Sequence, residues 1–197
     1  METNKEEIRV LIVEDDEDFI YLMKKMLDRQ PKITVSGTCT QKEEAVQMAC
    51  RLRPHIVIMD LNLGSSDKDG ILISREIRIL TDAKVLILTS LDSPEMVLKA
   101  AREAFASGYI FKNQPNLLVE NILALAGGYT AQEYLIASMA LSCLTEAEMS
   151  VFQMLMGKDI QLQSSTKTIA NQKTRILRKL GLDSQKDLMH IFRLFRG

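Results

Sequence analysis

One pattern constrains the chain more than any other. In its first two thirds, five short runs of β-branched and aliphatic residues each precede a stretch with helical periodicity. Residues 8–13, 33–38, 56–59, 85–88 and 109–111 are short and mostly β-branched, aliphatic or aromatic, and they read as strands, the first of them buried. The intervening segments, from Asp16 or Glu17 to about Gln30, then 41–53, 71–80, 94–106 and 116–126, carry apolar residues at helical spacing. Strands that alternate with helices pair in parallel through right-handed crossovers. The pattern predicts an α/β fold with a doubly wound, five-stranded parallel sheet. In such sheets the chemistry collects at the carboxyl ends of the strands.

Past Gly127-Gly128 no strand signal remains. Residues 130–141 predict a linker helix. Leu144-Thr145-Glu146-Ala147-Glu148 opens another, with Thr145 as N-cap and Glu148 as its capping-box partner. A third helix begins at Ser165 or Thr166 and ends at Gly181; a fourth runs from Ser184 to about Phe195. The chain thus divides into an α/β domain (1–128), a linker (129–143) and a small all-α domain (144–197). Charge divides the same way. The chain is −1 overall, but residues 157–197 hold nine Lys/Arg against three Asp/Glu, a net of +6. An acidic front with a basic tail suits metal or phosphate chemistry in one part and a polyanion in the other.

With 46% hydrophobic and 26% charged residues, the composition is that of a globular chain. The first residues are charged and the apolar runs are short, so no membrane partner is expected. Three cysteines without metal-ligand spacing suit a reducing, cytoplasmic setting. His55 and His190 lie far apart in sequence, which argues against a histidine metal site.

The strand ends converge on one edge. They carry Glu14, Asp15 and Asp16 after the first strand, Asp60 and then Asn62 after the third, Thr89 and Ser90 after the fourth, and Lys112 after the fifth. Singly, each has an ordinary explanation: a strand-end Asp or Thr caps the next helix, and a Lys is surface. Together they are specific. Crowded carboxylates raise one another's proton affinity unless a cation intervenes. Mg²⁺ accepts one or two carboxylates plus water and phosphate oxygens, and a carboxylate can itself become an aspartyl phosphate.

Val13-Glu14-Asp15-Asp16, Met59-Asp60-Leu61-Asn62, Leu88-Thr89-Ser90 and Gly108-Tyr109-Ile110-Phe111-Lys112 resemble the receiver-domain motifs of two-component response regulators, over roughly residues 8–126. The resemblance implies a flavodoxin-like receiver with Asp60 as phospho-acceptor. It implies Mg²⁺ held by Glu14, Asp15, Asp60 and Asn62, with Lys112 on the phosphoryl group, Thr89 moving to bond it, and Tyr109 as the coupled aromatic switch. Two departures stand out. Gly64 replaces a usual Pro in a loop about two residues long in excess, and the approach to Tyr109 around Phe105 is about one residue longer.

The basic tail resembles the NarL/FixJ (LuxR-type) DNA-binding domain in 144–148, 167–169 and 176–182. That implies a helix-turn-helix-like output domain reading double-stranded DNA through Lys167, Asn171, Gln172, Arg175, Arg178 and Lys179. The departure is the segment 158–164, seven residues where the family has about a dozen for its positioning helix. The reading is a non-enzymatic response regulator, phosphorylated on Asp60 by a sensor histidine kinase and controlling transcription, homodimeric when phosphorylated. The alternative is a phosphorylation-switched protein-interaction module whose helical domain does not bind DNA specifically. A fragment from about Ser142 onward is expected to bind duplex DNA by itself. A phosphatase with an aspartate nucleophile is disfavoured, because no second acid/base residue follows Asp60 closely.

Overall fold

The computed structural model describes residues 7–63, 69–161 and 165–196. Five strands, β1 (Ile8–Val13), β2 (Ile33–Cys39), β3 (Ile56–Met59), β4 (Lys84–Thr89) and β5 (Gly108–Phe111), form one parallel sheet ordered β2-β1-β3-β4-β5. Helices α1 (Glu17–Leu27), α2 (Lys42–Leu52), α3 (Asp69–Leu80), α4 (Pro94–Glu103) and α5 (Leu117–Gly127) are the crossovers. The strands are apolar on both faces because both are covered. Leu11, Val13, Val57, Met59, Val85 and Ile87 pack towards α2, α3 and α4. Val10, Ile12, Ile56, Ile58, Leu86 and Leu88 pack towards α1 and α5. Switching of strand order around β1 and β3 leaves a crevice at their carboxyl ends.

Local signals place the helix starts. Asp16 accepts hydrogen bonds from the amides of Asp18 and Phe19, and Ser93 caps α4 with Pro94 at its first turn. The α4 end differs from the sequence expectation. The helix stops at Glu103 rather than 106, because Phe105 adopts φ +52° and turns the chain out of the helix.

The helical part comprises α6 (Ala131–Leu141), α7 (Glu146–Leu155), α8 (Thr166–Leu180), α9 (Gln185–Ile191) and a 3-10 turn, Arg193–Phe195. The Thr145/Glu148 capping box forms as the sequence predicts. The last helix ends at Ile191 instead of running to Phe195. No helix forms over 158–161, where Gly157 (φ +90°) has already ended α7. The departing loop at 64–68 and residues 162–164 lie outside the described residues.

The linker helix is not a free spacer. α6 lies along α4 and β5. The Gln132 side-chain amide accepts from the Tyr109 N–H (3.3 Å) and donates to the Tyr109 carbonyl (3.1 Å), covering the free edge of β5. Buried Glu133 pairs with Lys84 at 2.9 Å. Among the described residues no helix is long and apolar enough to cross a membrane.

Candidate functional site

β1 ends in Glu14-Asp15-Asp16 and its neighbour β3 in Asp60, so parallel pairing brings the carboxylates together. Ligand oxygens of Glu14, Asp15 and Asp60 lie within 4.8 Å of one another. Glu14 and Asp60 are almost fully buried; Asp15 is exposed. Asp60 is anchored through its backbone N–H to the Val13 carbonyl (3.0 Å), and the Asn62 N–H donates to Asp60 Oδ1 (3.2 Å). From β5, Lys112 Nζ reaches Asp60 Oδ2 at 2.8 Å and Glu14 Oε2 at 2.6 Å. The Phe19 ring closes one side, 4.6 Å from that ammonium.

The electrostatics follow from this crowding. Burial, reinforced by Asp60, pushes the Glu14 carboxyl up to about 7 against the pull of Lys112. Burial alone would lower the Lys112 pKa, but its bonds to Asp60 and Glu14 outweigh that and raise it. One ammonium thus serves two buried carboxylates. An all-oxygen donor set with excess negative charge fits a small hard dication. Glu14, Asp15 and Asp60 are the side chains that could hold it.

Thr89, fully buried, ends β4 beside β3. Its hydroxyl accepts from the Leu91 N–H (3.3 Å), while the Tyr109 hydroxyl donates to the Leu91 carbonyl (2.8 Å). Tyr109 and Thr89 therefore grip the same residue of the β4–α4 loop. Burial first, then Asp60 and Asp92, push the Tyr109 phenol up to about 12, so it remains a donor. Of the expected residues, Glu14, Asp15, Asp60 and Lys112 meet at the strand ends, while Thr89 and Tyr109 are joined to each other through Leu91.

On α8, Lys167, Asn171, Arg175 and Arg178 are exposed. Two other expected contacts have different roles. Gln172 is half-buried with its Oε1 inside the domain, because its position turns towards the helical core. Lys179 Nζ bonds Glu148 Oε2 (2.6 Å) and the Cys143 carbonyl (3.0 Å), tying α8 to the start of α7. That tie and the Thr145 N–H hold the Glu148 carboxyl below its ordinary value.

Sequence reasoning missed the contacts between the two parts. Arg75 of α3 and His190 and Arg193 near the C-terminus bridge them, His190 reaching the Arg78 and Thr81 carbonyls. The only signal was the longer approach to Tyr109, where Phe105 sits.

A family model for the response regulator receiver domain matches residues 10–123. The transcriptional regulatory protein LiaR of Bacillus subtilis is 29% identical over 90% of this chain and 93% of its own length. A protein-glutamate methylesterase/protein-glutamine glutaminase of Methanospirillum hungatei is 31% identical over 109 residues, but the match spans only 31% of that protein. The RcsB response regulator of Salmonella typhimurium shares the fold along 98% of this chain and 100% of its own, with TM-score 0.58 and 21% identity. The chain belongs to the response regulator receiver family, with LuxR/NarL-type regulators as relatives along most of its length.

Proposed function

We propose that this protein is a cytoplasmic response regulator that accepts a phosphoryl group on Asp60 from a sensor histidine kinase and uses α8 to bind double-stranded DNA and control transcription. The observation that carries the reading is Lys112 Nζ bridging Asp60 Oδ2 and Glu14 Oε2 at the crevice of the sheet. The Asp60 carboxylate oxygen attacks phosphorus, the P–N bond to the kinase histidine breaks, and the O–P bond forms. Lys112 and the Thr89 hydroxyl then hold the phosphoryl oxygens. Glu14, Asp15, Asp60 and Asn62 are the residues that would hold Mg²⁺, which when bound would supply charge neutralisation for that transfer. Movement of Thr89 changes its bond to Leu91, the residue Tyr109 also holds, and Tyr109 is backbone-paired to α6.

The name of the LiaR relative and the exposed basic residues of α8 support transcription control. Homodimerisation on phosphorylation completes the reading, and exposed Leu98 and Leu135 on the packed helices α4 and α6 offer apolar surface for it. Asp60→Asn should abolish Mg²⁺-dependent labelling by acetyl phosphate. Full labelling of that variant, mapped to another residue, removes Asp60 from the role.

A protein-interaction module is favoured by two observations: no positioning helix forms over 158–161, and Lys179 is committed to Glu148. Affinity for duplex DNA as a function of salt separates the two, since phosphate contacts make binding fall steeply with ionic strength.

A further inference from the structure

The output helices do not close their own core. The cluster of Leu141, Phe152, Ile176, Leu180, Leu188 and Phe192 includes one buried receiver residue, Phe105, with Ile79 packed against it. Phe105 adopts φ +52°, a left-handed backbone disfavoured for a residue with a Cβ. Arg78 holds it there: this buried guanidinium donates Nε to the Phe105 carbonyl and Nη1 to the Ala83 carbonyl, each at 3.0 Å. The turn sends the Phe105 ring out of the receiver, edge-on to Phe192 at 5.7 Å, and Phe192 meets Phe152 at 5.5 Å.

Arg75, one turn earlier on α3, places its guanidinium over that ring, 4.4 Å from its centroid. It donates to the carbonyls of Leu180 and Gly181, the latter at 2.7 Å. These carbonyls at the C-terminus of α8 have no intrahelical donor, and a cation there also complements the helix dipole. The arrangement is reciprocal. His190 Nε2 stands 3.1 Å and 2.9 Å from the carbonyls of Arg78 and Thr81 at the C-terminus of α3. With two acceptors facing it, Nε2 carries the hydrogen. Arg193 pairs with Asp82 at 2.5 Å.

Docking leaves the basic surface open: Lys167, Asn171, Arg175 and Arg178 remain exposed. At its other end, α3 touches the phospho-acceptor, since Gly70 lies against the backbone of Asp60 and Leu61. We infer that Arg75 and Phe105 are positioning residues for α8. The receiver supplies the support that a preceding helix would otherwise give, and α8 engages its polyanion while docked. The inference rests on the DNA-binding reading above, and it makes undocking a loss of binding instead of a release.

The test uses the full-length protein as wild type, Arg75→Ala, Arg75→Lys and Phe105→Ala. Acetyl phosphate labelling at the wild-type level establishes that each receiver is folded. Hydrogen exchange in α8 is expected to quicken by about tenfold or more in Arg75→Ala and Phe105→Ala. Affinity for a labelled mixed-sequence duplex should fall by about fivefold in both, with an unchanged salt slope because no phosphate contact is lost. Arg75→Lys should recover part of both effects. Unchanged exchange in both variants overturns the inference, as does tighter DNA binding, which would mean that docking inhibits. A salt slope lowered by about one unit in Arg75→Ala also overturns it, because Arg75 would then be a phosphate contact. If the wild type does not bind duplex at all, the DNA-binding reading fails, and the exchange measurement alone decides whether the receiver positions α8.

Discussion

Gly70 is where a single atom matters most. A Cβ there would lie 2.5 Å from both the Asp60 carbonyl oxygen and the Leu61 Cα, backbone atoms that no rotamer change can move. Gly70→Ala should therefore destabilise the protein by about 1–3 kcal/mol, as overpacking typically does. On the proposed function it should also slow Asp60 labelling, because the displaced backbone belongs to Asp60. Urea denaturation with a parallel acetyl phosphate time course checks both; wild-type values in each would show that the loop yields freely. Glu148 gives a pH dependence with a definite sign. Its folded pKa is depressed below the ordinary 4.5 by Lys179 and the Thr145 amide. Its contribution is therefore present above pH 4.5 and lost as pH falls through the folded value. Glu148→Gln should reduce the loss of stability on acidification below pH 4.5. An identical acid limb in the two proteins would contradict the assignment.

At the scale of elements, α8 has a face and an end with separate tasks. Its exposed residues Lys167 and Arg175 lie eight positions apart, about two turns along the helix. Lys167→Ala and Arg175→Ala should each lower duplex affinity and flatten the salt slope by about one unit, as for a lost phosphate contact. A variant that instead relaxes preference at one base pair, with the slope intact, identifies a base contact. Lys179→Ala should behave differently, losing thermal stability through its tie to Glu148. The linker is an element with a task too. Gln132 satisfies both backbone groups of Tyr109 on the edge strand, so α6 is tied to the strand that carries Tyr109 and leads into Lys112.

For the whole molecule, the cluster that spans Phe105, Ile176 and Phe192 joins receiver and output helices in one core. Heating should therefore give a single cooperative transition, with calorimetric and van't Hoff enthalpies in agreement. Two resolved transitions would show that the parts fold independently. The same packing revises the expectation that a fragment from about Ser142 binds DNA by itself. Such a fragment exposes the sites of Phe105 and Arg75, and its α8 loses the cap on its C-terminus.

Local chemistry sets how much of this molecule is legible along the chain. Strand runs, helix periodicity and the caps at Asp16, Thr145, Ser165 and Ser184 each act within a few residues, so they can be read in order from the amino acids alone. The acidic site is legible too, because parallel topology sends every strand end to one edge. Glu14, Asp60, Thr89 and Lys112 then need no long-range information beyond the fold class. Tertiary packing alone decides how the two parts meet. Arg75 and Leu180 lie 105 positions apart, and a guanidinium on a helix-end carbonyl has no periodic signature. Lys179 looks like part of a DNA-reading stripe in the sequence because spacing by four is blind to a buried glutamate across the domain. The direction of the Phe105 ring depends on a left-handed backbone held by a buried arginine from another helix. Such a conformation is selected by packing, because the local preference of the residue opposes it.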